Sequence, residues 1–142
     1  MKNLKIALVA FCFLGYTQYA AQIRDIVNAV NSSKILTKGQ GSSGTITESN
    51  GVIKVSGNDH VKSFNMKGEN LEVHGNEHTI TVNGNATHIS VFGTGNKVTV
   101  DSVNKITING VENKVYYRTS SNKNGKASTS VSGVDSNVIK IK

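Results

Sequence analysis

From residue 71 to 117, two apolar residues flanking one polar residue recur at an almost fixed interval: Leu71/Val73, Ile80/Val82, Ile89/Val91, Val98/Val100, Ile106/Ile108 and Val115/Tyr117. The first members step by 9, 9, 9, 8 and 9 residues. Inside each unit the period is two, which makes a strand with one buried face and sends Glu72, Thr81, Ser90, Thr99, Thr107 and Tyr116 outward. A helix cannot present that pattern. A unit this small buries its apolar face only by stacking on copies of itself, so a repeat architecture is expected.

Nine residues could be one arm of an antiparallel meander or half of an 18-residue coil, and the residues between strands separate the two. Gly57, Gly75, Gly93 and Gly110 lie 18, 18 and 17 apart; Asn65, Asn83 and Asp101 step by 18 and 18; His60, His78, Asn96 and Asn113 step by 18, 18 and 17. Corner identity thus returns at every second strand, as it does when each coil has two unlike corners. The expected fold is all-β: a small two-sided β-solenoid with about 18 residues per coil. One face uses Ile53/Val55, Leu71/Val73, Ile89/Val91 and Ile106/Ile108; the other uses Phe64, Ile80/Val82, Val98/Val100 and Val115/Tyr117. Five or six coils stacked about 4.8 Å apart would give a rod on the order of 25 Å long. The antiparallel meander is the competing fold, because Asn83-Gly84 and Asn109-Gly110 are hairpin-turn dipeptides.

Composition agrees with a thin repetitive core. Of 142 residues, 37% are hydrophobic and 6% aromatic, Pro and Trp are absent, and Asn and Val each occur 17 times. Val favours strands, Asn tolerates left-handed corners, and absent Pro suits strands that all donate ladder hydrogen bonds. One Cys excludes a disulfide framework and a Cys-rich zinc module.

Residues 1–21 read as a secretory signal peptide: Lys2 and Lys5, then the apolar run IALVAFCFL, then Ala20-Ala21 before Gln22. Cleavage there leaves no transmembrane segment and no Cys, and 14 basic against 9 acidic side chains give the mature chain +5 in place of +7. Residues 22–44 are expected to hold a short capping helix, with Ile23, Ile26, Val27 and Val30 at helical spacing, and a Gly/Ser-rich linker. Residues 45–142 are the β-solenoid repeat domain, interrupted by a polar loop at 118–130.

The units GTGNKVTV (93–100) and GVENKV (110–115), with GVDSNVIKI (133–141), resemble the Gly-x-x-Asn-x-Val-x-Val repeats of a bacterial family catalogued as domain of unknown function 3060. The resemblance implies a repeat scaffold in an exported bacterial protein and no activity, and so transfers no catalytic residue. Lys62, standing where Ile80 predicts an apolar residue, and the polar loop depart from the pattern.

Candidate sites are few. His60 and His78 are predicted to stack one coil apart, close enough for two imidazoles to share a metal ion; the plainer reading makes His a polar corner residue, since Asn96 and Asn113 continue the column. Calcium of the β-roll kind would need an Asp at each turn, whereas the turns are read as Asn, His and Lys. Lys114, Arg118, Lys123 and Lys126 form a basic group in and beside the loop, suited to an anionic polymer or surface. Nucleic acid is not expected, since no aromatic platform accompanies the lysines. The acids form no general acid–base pair and no nucleophile elbow occurs, so no enzyme and no cofactor is expected. The sequence therefore points to a structural or adhesive module of the envelope or exterior, with envelope or extracellular polymers, or self-association through solenoid ends, as partners. A binding module for anionic polymers through the loop is the alternative.

Overall fold

A computed structural model describes residues 34–36 and 42–142. The expected signal peptide at 1–21, and the helix and linker as far as they occupy 22–33 and 37–41, lie outside the described residues. The remainder is all-β, about four turns of a solenoid with roughly 18 residues per turn.

A short strand, β1 (Lys34–Leu36), borders β2 (Ser43–Ser49), which runs antiparallel to β3 (Val52–Asn58) through a two-residue Asn50-Gly51 turn. Both turn residues have positive φ, 51° and 71°, the combination a type I′ hairpin needs and Asn-Gly provides. Beyond β3 every pairing is parallel. β4 (Val61–Lys67) and β5 (Asn70–Asn76) are followed by two long strands, β6 (Thr79–Thr94) and β7 (Lys97–Val111), then β8 (Lys114–Thr119), β9 (Ser128–Val134) and β10 (Asn137–Lys140).

The first face stacks β3, β5, the second half of β6, the second half of β7, and β9, aligning Ile53, Leu71, Ile89 and Ile106, and Val55, Val73, Val91 and Ile108. The second face stacks β4, the first halves of β6 and β7, β8 and β10, aligning Ile80, Val98, Val115 and Val138. These are the two faces read from the sequence, and the parallel register excludes the meander. From β3 to β9 there are four steps of about 4.8 Å, so this stack is about 19 Å from first strand to last, with about four turns in place of the expected five or six coils.

The two corners differ in kind. At the wide corner β6 and β7 run through without a break, and Ala86 and Val103 fill the interior. The register slips between Val82 and Asn85 because β7 has one residue fewer there. That missing residue is the 8 among the nines, and Asp101 Oδ2 accepts the Gly84 N–H at 2.9 Å in place of a ladder carbonyl.

The tight corner follows each first-face strand. Gly57, Gly75, Gly93, Gly110 and Gly133 take φ between 122° and 142° and stack directly. A Cβ on Gly93 would come within 1.9 Å of the Gly75 carbonyl oxygen, so neither the conformation nor the space admits a side chain. Two residues on, Asp59, Glu77, Gly95, Glu112 and Asp135 adopt left-handed φ of 51–68°. This kink turns the next N–H inward, out of the sheet ladder.

A buried polar column receives it. The His60 N–H donates to His78 Nδ1 (3.1 Å), the His78 N–H to Asn96 Oδ1 (3.0 Å), the Asn96 N–H to Asn113 Oδ1 (3.0 Å) and the Asn113 N–H to Ser136 Oγ (3.2 Å). The same side chains return hydrogen bonds to the glycine column: Asn96 Nδ2 to the Gly75 carbonyl (2.9 Å), Asn113 Nδ2 to that of Gly93 (2.8 Å) and Ser136 Oγ to that of Gly110 (3.2 Å). From His78 onward each plug therefore satisfies two backbone groups that the kink would otherwise strand.

Gly93→Ala is expected to cost more than about 3 kcal/mol or abolish folding, whereas Gly125→Ala, with φ +65° and nothing within 4 Å of its Cβ, should cost about 1 kcal/mol. Asn96→Ala strands the His78 N–H and Gly75 carbonyl and should cost about 2–4 kcal/mol. Urea unfolding followed by circular dichroism checks all three.

Candidate functional site

The predicted His pair sits in this column. His60 and His78 are fully buried, and their rings stack with centroids 5.2 Å apart and planes at 23°. Because His78 Nδ1 accepts from the His60 N–H, its proton lies on Nε2, which donates to the His74 carbonyl at 3.3 Å. Both ring nitrogens of His78 are thus engaged by the backbone. His60 Nε2 donates to the Ser56 carbonyl at 3.2 Å, while its Nδ1 is buried without a partner among the described residues, having no earlier coil to accept from. The geometry makes the pair a corner device continued by Asn96 and Asn113. Among the described residues no three His, Cys, Asp or Glu side chains gather as a metal would need.

The four basic candidates are only partly brought together. Lys114 opens β8, stacked on Lys97; Arg118 lies toward the other end of that strand and pairs with Asp101, which neutralises it. The irregular segment between β8 and β9 is 120–127, shorter than the loop read at 118–130, because both ends of that range continue strands. Lys123 and Lys126 line an open hollow of about 500 Å³ there with Asn122, Asn124, Ala127 and Ser128. Asn104 pins the segment: its carbonyl accepts from Asn122 Nδ2 at 2.8 Å, and its side-chain oxygen accepts from the Ser121 N–H and hydroxyl. Lys140, which sequence reasoning did not single out, ties the far side through the Gly125 carbonyl at 2.8 Å.

The structure also shows what the corner reading missed. The left-handed position of the tight corner is acidic four times, at Asp59, Glu77, Glu112 and Asp135. The signal was present as an acid directly before His60, His78, Asn113 and Ser136 of the buried column, with Gly95 before Asn96. All four acidic residues are exposed. On the outer side of the first face, His74 stacks on Phe92 with centroids 4.7 Å apart, and His88 Nε2 lies 3.0 Å from Thr107 Oγ1 and 3.3 Å from Ser90 Oγ.

Burial holds the His78 imidazole below its ordinary value of 6.5; the His74 carbonyl opposes this and the His60 ring adds to it. His88 is lowered too, by burial and then by Lys105. A base whose folded value is depressed binds its proton better when unfolded, so stability is full above about pH 6.5 and is lost as pH falls below it. Protonating His78 Nδ1 would in addition break the bond from the His60 N–H. The melting temperature is expected to drop between pH 7 and pH 5, and His78→Asn, which copies Asn96, should fold at pH 7 and lose less over that interval. Thermal melts of both proteins at the two pH values check this.

Among the described residues no helix is long and apolar enough to cross a membrane. Comparison with curated proteins and with solved structures gives no match. A family comparison does: residues 73–130, which carry the core of the stacked repeat and the loop, match the model of the family described as protein of unknown function (DUF3060).

Proposed function

We propose that the chain is a non-catalytic structural or adhesive module, exported and working in the cell envelope or outside the cell. One observation carries the reading: the groups that could do chemistry inside the molecule are spent on stacking. Val and Ile fill the space between the faces, and the buried His and Asn side chains are bonded to corner backbone. What is left for a partner is the outside, where in-register strands repeat the same small polar groups about every 4.8 Å. Ser63, Thr81 and Thr99 form such a row on one face, and Ser90, Thr107 and Ser130 form one on the other. A flat periodic row suits a periodic polymer. The basic start and apolar run of residues 1–21 support export.

A second reading rests on the hollow at 120–127, where Lys123 and Lys126 share a lining that contains no acid. This suits an anionic polymer held by charge.

Co-sedimentation with insoluble peptidoglycan and chitin separates the two. Contact through the uncharged rows predicts retention that survives 0.5 M salt and is unchanged in Lys123→Ala/Lys126→Ala. Retention on heparin that vanishes with salt, with a salt slope lowered by about 1 for each lysine removed, would move the function to the loop. No retention on any of these polymers would overturn the adhesive reading. Mass spectrometry of protein from periplasm or medium should find residues 1–21 removed.

A further inference from the structure

The solenoid's sheet edges are not alike. At the first end, β3 is covered by β2, and β4 sets Lys62 at the inward position opposite Ile80, with Lys67 at its close. A charge pointing inward on an edge strand opposes further pairing, because the next strand would bury the ammonium. At the other end, β10 places Lys140 at the inward position opposite buried Tyr117. β9 has no such guard. Its sequence, STSVSGV, holds no charge; all seven residues are exposed, Val131 by 45% and Val134 by 60%. Among the described residues it is paired along one side only, with β7. Seven residues leave about 23 Å of unpaired N–H and C=O groups.

The strand matches a copy of itself. Thr129, Val131 and Gly133 continue the inward columns of Ile106, Ile108 and Gly110. A second β9 laid antiparallel about a two-fold axis at Val131 keeps those positions inward and sets Ser128 of one copy against Val134 of the other. It also brings the Lys126 end of each strand to the Asp135 end of its mate, opposite charges at both ends of the seam. Among the described residues the first end is covered by β2 on one face and carries Lys62 and Lys67 on the other, so the contact closes on itself instead of propagating.

We propose that β9 is the pairing edge of a closed two-fold dimer, in which two copies of this chain join their first-face sheets antiparallel. The inference deepens the structural reading above by naming the partner as a second copy. One strand edge buries less than the roughly 800 Å² per partner of a standard interface, so the dimer is weak and concentration-dependent.

Sedimentation velocity on the protein as purified from expressing cells, from micromolar to millimolar concentration, tests this. A monomer–dimer equilibrium with no larger species is expected. Val131→Lys, which gives β9 the guard that β4 and β10 already have, should weaken association about tenfold or more. Lys126→Asp and Asp135→Lys should each weaken it, and mixing the two should restore a dimer, because the mixed pair regains opposite charges at both ends. That mixing result decides the question if Val131→Lys fails to fold by circular dichroism. A monomer at every concentration, species growing beyond the dimer, or association untouched by these changes would overturn the proposal. A monomer that still binds polymer leaves the module reading standing, while a dimer that binds none leaves only the dimer.

Discussion

The inward-turned N–H at the tight corner is the constraint on which the rest of this protein depends. A parallel stack closes its hydrogen bonds coil to coil, but a corner of a few residues cannot keep every amide in the ladder. Here the left-handed residue at 59, 77, 95, 112 or 135 makes the turn, and the residue after it loses its carbonyl partner. A buried amide left unpaired costs about 1–3 kcal/mol, and there is one for each coil. The column His78, Asn96, Asn113 and Ser136 supplies the missing acceptor for the amides of His60, His78, Asn96 and Asn113 in turn. His, Asn and Ser recur there because each combines an acceptor with a donor.

The glycine column is the other half of the same device. With carbonyl oxygens of neighbouring coils within 2 Å of where a Cβ would stand, the corner closes only around glycine, and the plugs then reach those carbonyls. Stacking and cornering are therefore one problem with one solution. Its consequence is subtraction: the buried His and Asn side chains are occupied in holding the rod together, so the proposed contacts fall to the outer rows, the hollow at 120–127 and the edge of β9.

Much of this was legible in the residues. Apolar pairs such as Leu71/Val73 and Ile80/Val82 alternate between the two faces, and the 18-residue recurrence of Gly75 and His78 identifies one corner type. What escaped is instructive. Asn83-Gly84 and Asn109-Gly110 carry hairpin chemistry yet lie within continuous strands, whereas Asn50-Gly51 makes the hairpin. The dipeptide permits a type I′ turn; the neighbouring strand decides whether it forms, and at 83–84 and 109–110 a parallel coil already claims the backbone. Lys62 departs from the repeat because it sits on an edge, a fact the sequence carries only once the stacking order is known. Arg118 looked like an anion contact because its partner Asp101 is 17 residues away and meets it only across coils. The basic site was thus readable as composition and not as geometry.

Amide hydrogen exchange followed by NMR tests the central claim most directly. If side chains of the next coil receive the inward N–H groups, the amides of His78 and Asn96 exchange as slowly as those of their neighbours Val73 and Val91 in the strands, and the His78 amide loses that protection selectively in Asn96→Ala. Fast exchange at His78 and Asn96 in the unaltered protein, beside protected strands, would mean that the corner amides are not held by the buried column, and the account of what joins the coils would be wrong.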